Sequence, residues 1–377
     1  MKINSNYYIH IKNMSQKLFY IAEFLLPVNN AYSIHVLKMC DNSIYSNYKS
    51  KLIIPRNNSR FIEIKKKYNL KNNFEIDSLF TKISNLNFFL RIIFAIYVAF
   101  KIIKEKPNLV ITRSLITSFI LSLIKYKHFL EIHGDIKGFT RFIFLKLNFI
   151  NSESIIKNIF ITKNLAKNYK LNNNKYIILP DAADEKDFVK FKSKPLKKIN
   201  NFYYTGSFYK GKGVELIFKI AKIFKKKNFF IYGNKDNLNI KNIPNNVHIK
   251  NYVPYKQIPE ILNKADALLM PYSENVYYSS SLNDNIGKFH SPLKMFEYLA
   301  SGKLIISSNH NVLKEILKNN INCLMPKKNN LISWKKIIIY AEKNLYKINK
   351  IIINSRKESF NYTWNNRFKK IIESNKN

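Results

Sequence analysis
In Ser291-Pro-Leu-Lys-Met-Phe-Glu-Tyr-Leu-Ala-Ser-Gly-Lys303, residue types that hold anions recur at the spacing of helical turns. Ser291 is a good helix N-cap, Pro292 suits the first helical position, and Gly302 can take the left-handed conformation that ends a helix. Lys294 and Glu297 then project from the opening turns. Free backbone N–H groups and the positive end of the helix dipole would form an anion site, with Lys294 adding a full charge and Glu297 reaching past a bound phosphate. The same signals describe an ordinary capped helix. A second element is Thr205-Gly-Ser-Phe-Tyr-Lys-Gly-Lys-Gly213. Glycines between an apolar strand and a helix let backbone amides approach a phosphate, and Lys212 can supply the countercharge. Its spacing matches neither a Walker loop nor the dinucleotide fingerprint, so alone it also fits a plain tight connection. The third candidate is His133, at the end of the strand-like run His128–Ile132 and beside Gly134. A surface or structural histidine is the plainer alternative, although a strand end beside a glycine suits a cleft.

The elements that must position these residues alternate. Lys17–Phe24, Lys51–Pro55, Asn108–Thr112, His128–Ile132, Ile159–Thr162 and Tyr176–Leu179 have the apolar character of buried parallel strands. Ser33–Asp41, Leu86–Lys104, Ser114–Lys125 and Asn164–Tyr169 read as the helices between them, and the apolar Leu86–Lys104 is expected to pack in the core. After a charged linker over residues 186–200, strands are expected at Phe202–Thr205, Phe229–Tyr232, Val247–Asn251, Ala267–Met270 and Leu304–Ser307, with helices at Val214–Lys227, Tyr255–Lys264 and Pro292–Ser301. This predicts an α/β chain of two doubly wound, Rossmann-like domains, over residues 1–185 and 201–355, facing one another across a cleft at the carboxyl ends of their strands.

The chain of 377 residues is long enough for two such cores. Its net charge of +40 comes from 57 Lys and only 7 Arg, beside 52 Asn, which is the mark of an A/T-rich coding bias. A reader of nucleic acid would favour the planar fork of arginine, so no nucleic-acid partner is expected. An anionic membrane surface is a possible partner, since lipid headgroups attract lysines by about 1 kcal/mol each near the surface. Cys40 and Cys323 cannot build a disulfide framework or a zinc site, which fits a reducing cytoplasm. The start, MKINSNYYIHIKN, lacks a long apolar core, and the longest apolar runs are too short to span a bilayer, so neither a standard secretion signal nor a transmembrane helix is expected.

SPLKMFEYLASGK, with Leu304–Ile306 and Val312–Ile316 behind it, resembles the donor-binding region of family 4 glycosyltransferases, enzymes of the GT-B fold. The resemblance implies that Gly206, Ser207, Lys212, Gly213, Ser291, Pro292, Leu293, Lys294 and Glu297 hold a nucleotide diphosphate sugar. The helix N-terminus and Lys212 would take the diphosphate and Glu297 the ribose hydroxyls. His133, in a Glu-x-His element, would face the transferred sugar, making His133, Lys212 and Glu297 the implied catalytic set. Asn30, Ser33 and His35 in the first strand-to-helix loop, Arg113 in Thr112-Arg-Ser114, and Asp135 would line the acceptor side. Leu179–Asp184 resembles the segment leading to the interdomain linker, and Trp364 with Arg367 a final helix, 356–377, crossing back to the first domain. Two departures stand out. Ser207 replaces a frequent arginine, and Phe289 the earlier of two glutamates, which leaves donor-sugar contacts to His290, Asp284 or the backbone near Ser291.

The implied reaction is transfer of a hexosyl group to an acceptor hydroxyl with retention. The acceptor would be a lipid-linked glycan for lipopolysaccharide or a similar polysaccharide, met at the inner face of the cytoplasmic membrane. No Asp-x-Asp occurs, so neither metal nor cofactor is expected beyond the nucleotide-sugar co-substrate. The alternatives are a sugar-nucleotide epimerase of the same fold and a non-enzymatic basic protein binding nucleic acid or membranes.

Overall fold
Leu109-Val-Ile-Thr112 and Ala267-Leu-Leu-Met270 are apolar or buried at every position, the pattern of strands covered on both faces. In the computed structural model, which describes residues 15–191, 195–234, 242–278 and 285–375, each lies inside a separate parallel sheet. The first sheet contains β1 (Gln16–Ile21), β2 (Leu25–Leu26), β3 (Tyr48–Asn57), β4 (Glu75–Phe80), β5 (Leu109–Thr112), β6 (His128–Ile132), β7 (Ile155–Phe160) and β8 (Tyr176–Ile178). Its order is β2-β3-β1-β5-β6-β7-β8, with β4 also paired to β3. The second holds β9 (Asn201–Thr205), β10 (Asn228–Tyr232), β11 (Val247–Lys250), β12 (Ala267–Met270) and β13 (Leu304–Ser307) in the order β11-β10-β9-β12-β13. Two lobes with the expected doubly wound α/β architecture result.

The helices of the first lobe are α1 (Ala31–Asn42), α2 (Phe61–Tyr68), α3 (Phe88–Glu105), α4 (Leu115–Leu123), α5 (Gly138–Arg141) and α6 (Lys163–Ala166). A short α7 (Glu185–Val189) occupies the start of the stretch expected as linker, of which residues 192–194 lie outside the described residues. The second lobe carries α8 (Val214–Ile223), α9 (Ile258–Asn263), α10 (Leu293–Ser301), α11 (Leu331–Lys343) and α12 (Leu345–Ser359). The last helix, α13 (Trp364–Ser374), buries Trp364, Phe368 and Ile371 in the core of the first sheet.

Three differences from the sequence reading have physical causes. Strand β4, Glu-Ile-Asp-Ser-Leu-Phe, went unread because it lies at the sheet edge with no position fully buried, so it needs no apolar run. Strand β7 begins four residues before the expected Ile159, because Asn158 interrupts the pattern; its buried amide donates to the Ile150 carbonyl at 2.9 Å. Helix α3 is only half a core helix: Phe94, Ala95, Val98, Ala99 and Ile102 are buried, while Phe89, Ile96, Phe100 and Ile103 face solvent. The N-terminal stretch 1–14 lies outside the described residues. Among those described, no helix is long and apolar enough to cross a membrane, and both cysteines are free and buried.

Candidate active site
The glycine turn after β9 is shaped by what packs on it. Gly211 and Gly213 hold φ +86° and +82°, and a Cβ on either would stand 1.9 Å from the carbonyl oxygen of Asn275 or Pro271. Only glycine lets the turn lie against the segment after β12. Gly206 has φ +136°, with the Lys294 ammonium 2.5 Å from where a Cβ would be. The Ser207 carbonyl accepts the Tyr204 hydroxyl at 2.8 Å. Gly213 caps α8, and Lys212 is carried into the molecule beside it.

Helix α10 starts one residue later than expected. Pro292, extended at ψ 126°, is the N-cap, and Ser291 does not cap. Instead the Ser291 hydroxyl accepts the backbone N–H of Asp181 at 3.1 Å, tying the helix start to the chain between the lobes. Leu293 packs in the core of the first lobe, and Gly302, left-handed at φ 62°, ends the helix.

These two elements bring Lys212 and Lys294 together. Lys294 Nζ lies 3.6 Å from the centroid of the Tyr204 ring and 5.5 Å from that of Tyr272, and Lys212 Nζ is 5.2 Å from the Tyr272 centroid. Burial pushes Lys212 down to about 8. Burial, and then the charge of Lys212, holds Lys294 well below the ordinary lysine range. Lys294 Nζ has no hydrogen-bond partner among the described residues. Ring faces compensate a cation only partly, so this pair of desolvated ammonium groups suits an anion. Glu297, one turn further along α10, is raised to about 7 by burial, against the hydrogen bond from Tyr255 and the nearby lysine charges. His290 completes the group, its ring 5.2 Å from Tyr272. Its Nδ1 meets the carbonyls of Ile286 and Gly287 at 3.2 Å. Burial and Lys212 push it to about 3, so it is neutral; Nδ1 then carries the proton, and the buried Nε2 is an acceptor without a partner among the described residues. Asp284 lies outside the described residues. Because Gly206 sets the space for Lys294, Gly206→Ala should weaken binding of pyrophosphate at this pair by about tenfold, as a contact well inside van der Waals distance and an unfavourable φ displace the Lys294 ammonium; calorimetric titration checks it.

Across the cleft, His133 stands at the end of β6 and its Nε2 lies 2.8 Å from Glu131 Oε1. Glu131 is a hub. Oε1 also accepts Arg367 Nη2 at 2.5 Å, and Oε2 accepts the Tyr20 hydroxyl. His35 Nε2 lies 2.8 Å from Oε1, but at an angle that makes no hydrogen bond, while His35 Nδ1 is 2.5 Å from Asp181 Oδ1. Burial opposes ionisation of Glu131, yet Arg367 and the two histidines outweigh it and hold the carboxyl well below its usual range. Burial and the charge of Arg113 push His133 to about 3, so its ring is neutral. Against a carboxylate, Nε2 must carry the proton, which leaves Nδ1 as the acceptor.

His35, Glu131 and His133 could in principle ligate a metal, with donor atoms within 4.8 Å of one another. The Arg367 guanidinium already occupies the shared carboxylate oxygen, and a dication there would meet its charge.

The remaining acceptor-side residues divide. Asn30 caps α1 by accepting the Ser33 N–H at 2.8 Å, and the Ser33 hydroxyl returns to the Asn30 carbonyl at 3.0 Å, so both shape the turn. The Arg113 guanidinium lies 3.8 Å from the centroid of the Tyr32 ring, with Nη1 buried and unpartnered among the described residues. Asp135 pairs with Arg141 at 3.1 Å. Phe289, at the position of the earlier family glutamate, crosses the cleft: its ring packs on the first-lobe cluster around Leu130 and Phe160, and its carbonyl accepts the Thr162 hydroxyl at 3.2 Å. The sequence reading missed Tyr204, Tyr255 and Tyr272, the rings on which the charged groups rest. In a chain with 24 tyrosines nothing marked them.

Residues 185–358 match the family model described as Glycosyl transferases group 1. No curated protein matches the chain in sequence. Among solved structures it is similar to a glycosyltransferase from Rickettsia africae, with a TM-score of 0.72 and 16% identity over 96% of this chain and 98% of that one. It is also similar to Anabaena HepE in complex with UDP and glucose, with a TM-score of 0.68 and 9% identity over 95% and 99%. A third is WaaG, a glycosyltransferase involved in lipopolysaccharide biosynthesis, with a TM-score of 0.59 and 12% identity over 95% and 98%. The common fold is GT-B.

Proposed function
From a second lobe that carries a group 1 glycosyltransferase domain, and a chain that is accordingly a glycosyltransferase, we propose that it moves a hexosyl group from a nucleotide diphosphate sugar to an acceptor hydroxyl. The observation that carries this reading is the convergence of Lys212 and Lys294 at Tyr272, with Glu297 one turn beyond. Two half-buried cations that no anion hydrogen-bonds among the described residues are costly, and a diphosphate with its ribose supplies what each group lacks. Lys212, Lys294 and the start of α10 stabilise the charge that develops on the leaving diphosphate, the place a metal takes in other transferases. Glu297 accepts ribose hydroxyls, and His290 Nε2 accepts a hydroxyl of the donor sugar, a contact that Phe289 cannot make. His133, neutral and held by Glu131, presents Nδ1 to the sugar. Retention, metal independence and a lipid-linked or surface glycan as acceptor belong to the same proposal, in keeping with HepE seen with UDP and glucose and WaaG in lipopolysaccharide biosynthesis.

Thermal-shift screening of sugar nucleotides, followed by product analysis, tests it. One donor should stabilise the protein by about 2.7 kcal/mol at a hundredfold excess over its Kd, and the sugar should appear on a second molecule. An isomerised sugar nucleotide with no transfer would make the enzyme an epimerase instead. Excess EDTA should leave turnover unchanged; loss reversed by magnesium would remove the metal-free mechanism.

The pH profile has a sign. Glu297, raised to about 7, takes up a proton as pH falls below that value and becomes a weaker acceptor, and Lys212, lowered to about 8, loses its charge as pH rises above it. The ratio kcat/KM, which reports the free enzyme, should therefore peak between about 7 and 8 and fall on both sides. In Glu297→Gln the acid limb should disappear.

A further inference from the structure
Helix α3 has two apolar faces and covers only one. Phe94, Ala95, Val98, Ala99 and Ile102 are buried against the first sheet. On the opposite side Phe89, Ile96, Phe100 and Ile103 recur at intervals of seven, four and three residues and are 55–67% exposed. A surface helix ordinarily presents polar residues there, and a helix that is apolar all round is ordinarily buried. The stripe does not stand alone. Phe88, at the start of α3, meets Phe139 edge to face at 6.5 Å, and Phe139 stacks near Phe142 at 6.3 Å, both at least half exposed. The patch adjoins the acceptor side of the cleft, because Arg91 of α3 pairs at 3.5 Å with Glu23, which accepts the Ser114 hydroxyl at 2.6 Å beside Arg113.

We propose that this face of α3, with the aromatic segment after Gly138, seats the protein on an anionic lipid bilayer and presents the acceptor side of the cleft to it. Charge chooses the occupant. The stretches 86–106, 113–127 and 137–148, from which this side of the lobe is built, contain ten lysines and arginines and one acid, Glu105; Lys51 pairs Glu105 at 2.6 Å, and Arg91, Lys101 and Arg141 pair with Glu23, Asp77 and Asp135, which leaves this side net basic. A second copy of the chain would bring an equally basic rim against this one in a protein of net charge +40, whereas anionic headgroups neutralise it. The helix lies in the interface rather than across it, since no described helix can span. The proposal deepens the transferase reading and rests on it only for what the bilayer delivers, a lipid-linked acceptor.

The test is flotation of the full chain with vesicles of phosphatidylglycerol mixed into phosphatidylcholine, against pure phosphatidylcholine, beside UDP binding by calorimetry. Wild type should float with the anionic vesicles, weakening as salt screens the charges. The triple variant Phe89→Ser, Ile96→Ser, Phe100→Ser should lose at least about tenfold in vesicle affinity with UDP binding and melting temperature retained; the milder Ile96→Thr, Phe100→Tyr pair should weaken it less and guards against a misfolded triple. Equal flotation of wild type and both variants, or no flotation while UDP binding is intact, would overturn the bilayer without touching the transferase reading. Concentration-dependent dimers lost in the triple variant would overturn it in favour of a second copy. Loss of UDP binding in wild type would count against the transferase reading alone.

Discussion

Lys212→Ala should lower kcat/KM by about 10²–10³-fold, the loss found when one preorganised donor to a developing oxyanion is removed. Its effect on the ligand-free protein should have the opposite sign. Lys212 is desolvated and helps to hold Lys294 below the ordinary range, so removing it relieves both a burial cost and a like-charge repulsion. The melting temperature without ligand should stay level or rise slightly, and the stabilisation by UDP should shrink. Residues that support only the fold do not behave in this way, so the pair of measurements separates a binding role from a structural one. Wild-type turnover, or a variant that loses stability and activity together, would remove Lys212 from the donor site.

Arg367→Ala should be the most damaging single change to stability, on the order of 3–5 kcal/mol, because it leaves the buried Glu131 carboxylate without its guanidinium. Arg367 gives Glu131 Oε1 a 2.5 Å hydrogen bond and donates to the carbonyls of Pro180 and Leu179 at 2.9 and 3.2 Å. One side chain thus joins α13, β6 and the chain between the lobes. Its loss should lower the melting temperature by roughly 10 °C. With the guanidinium gone, burial dominates at Glu131, whose pKa must rise, and the proton of His133 is no longer directed to a firm carboxylate. Turnover in the surviving folded fraction should therefore fall at pH values where wild type is still active. Arg367→Lys keeps the charge without the fork and should recover only part of the stability. A melting temperature equal to wild type in Arg367→Ala would show that Glu131 is not ionised in the folded protein.

The turns that carry Lys212, Lys294 and Glu297 were largely legible because their requirements are local. Backbone at positive φ needs glycine, a helix stop needs Gly302, and a lysine beside each turn sits a few residues from the element that carries it. Even there the reading erred by one position at Ser291, whose hydroxyl prefers a partner 110 residues away to its own helix. The hub around Glu131 was not legible in this sense. Tyr20, His35, Glu131, His133, Asp181 and Arg367 come from β1, α1, β6, the loop after it, the interlobe chain and α13, and beyond the Glu-x-His spacing of Glu131 and His133 no local pattern relates them.

By itself the chain's order of residues determined the alternation of strand and helix, hence two parallel sheets, and the short-range turns that carry Lys212, Lys294 and Glu297, since backbone geometry and helical period act over a few residues. Only the tertiary structure decided which charges are desolvated, which tyrosine faces hold them, that His133 is neutral with a defined tautomer, and that one face of α3 stays uncovered. Those properties depend on burial and on partners far apart along the chain, which exist only once both lobes are packed.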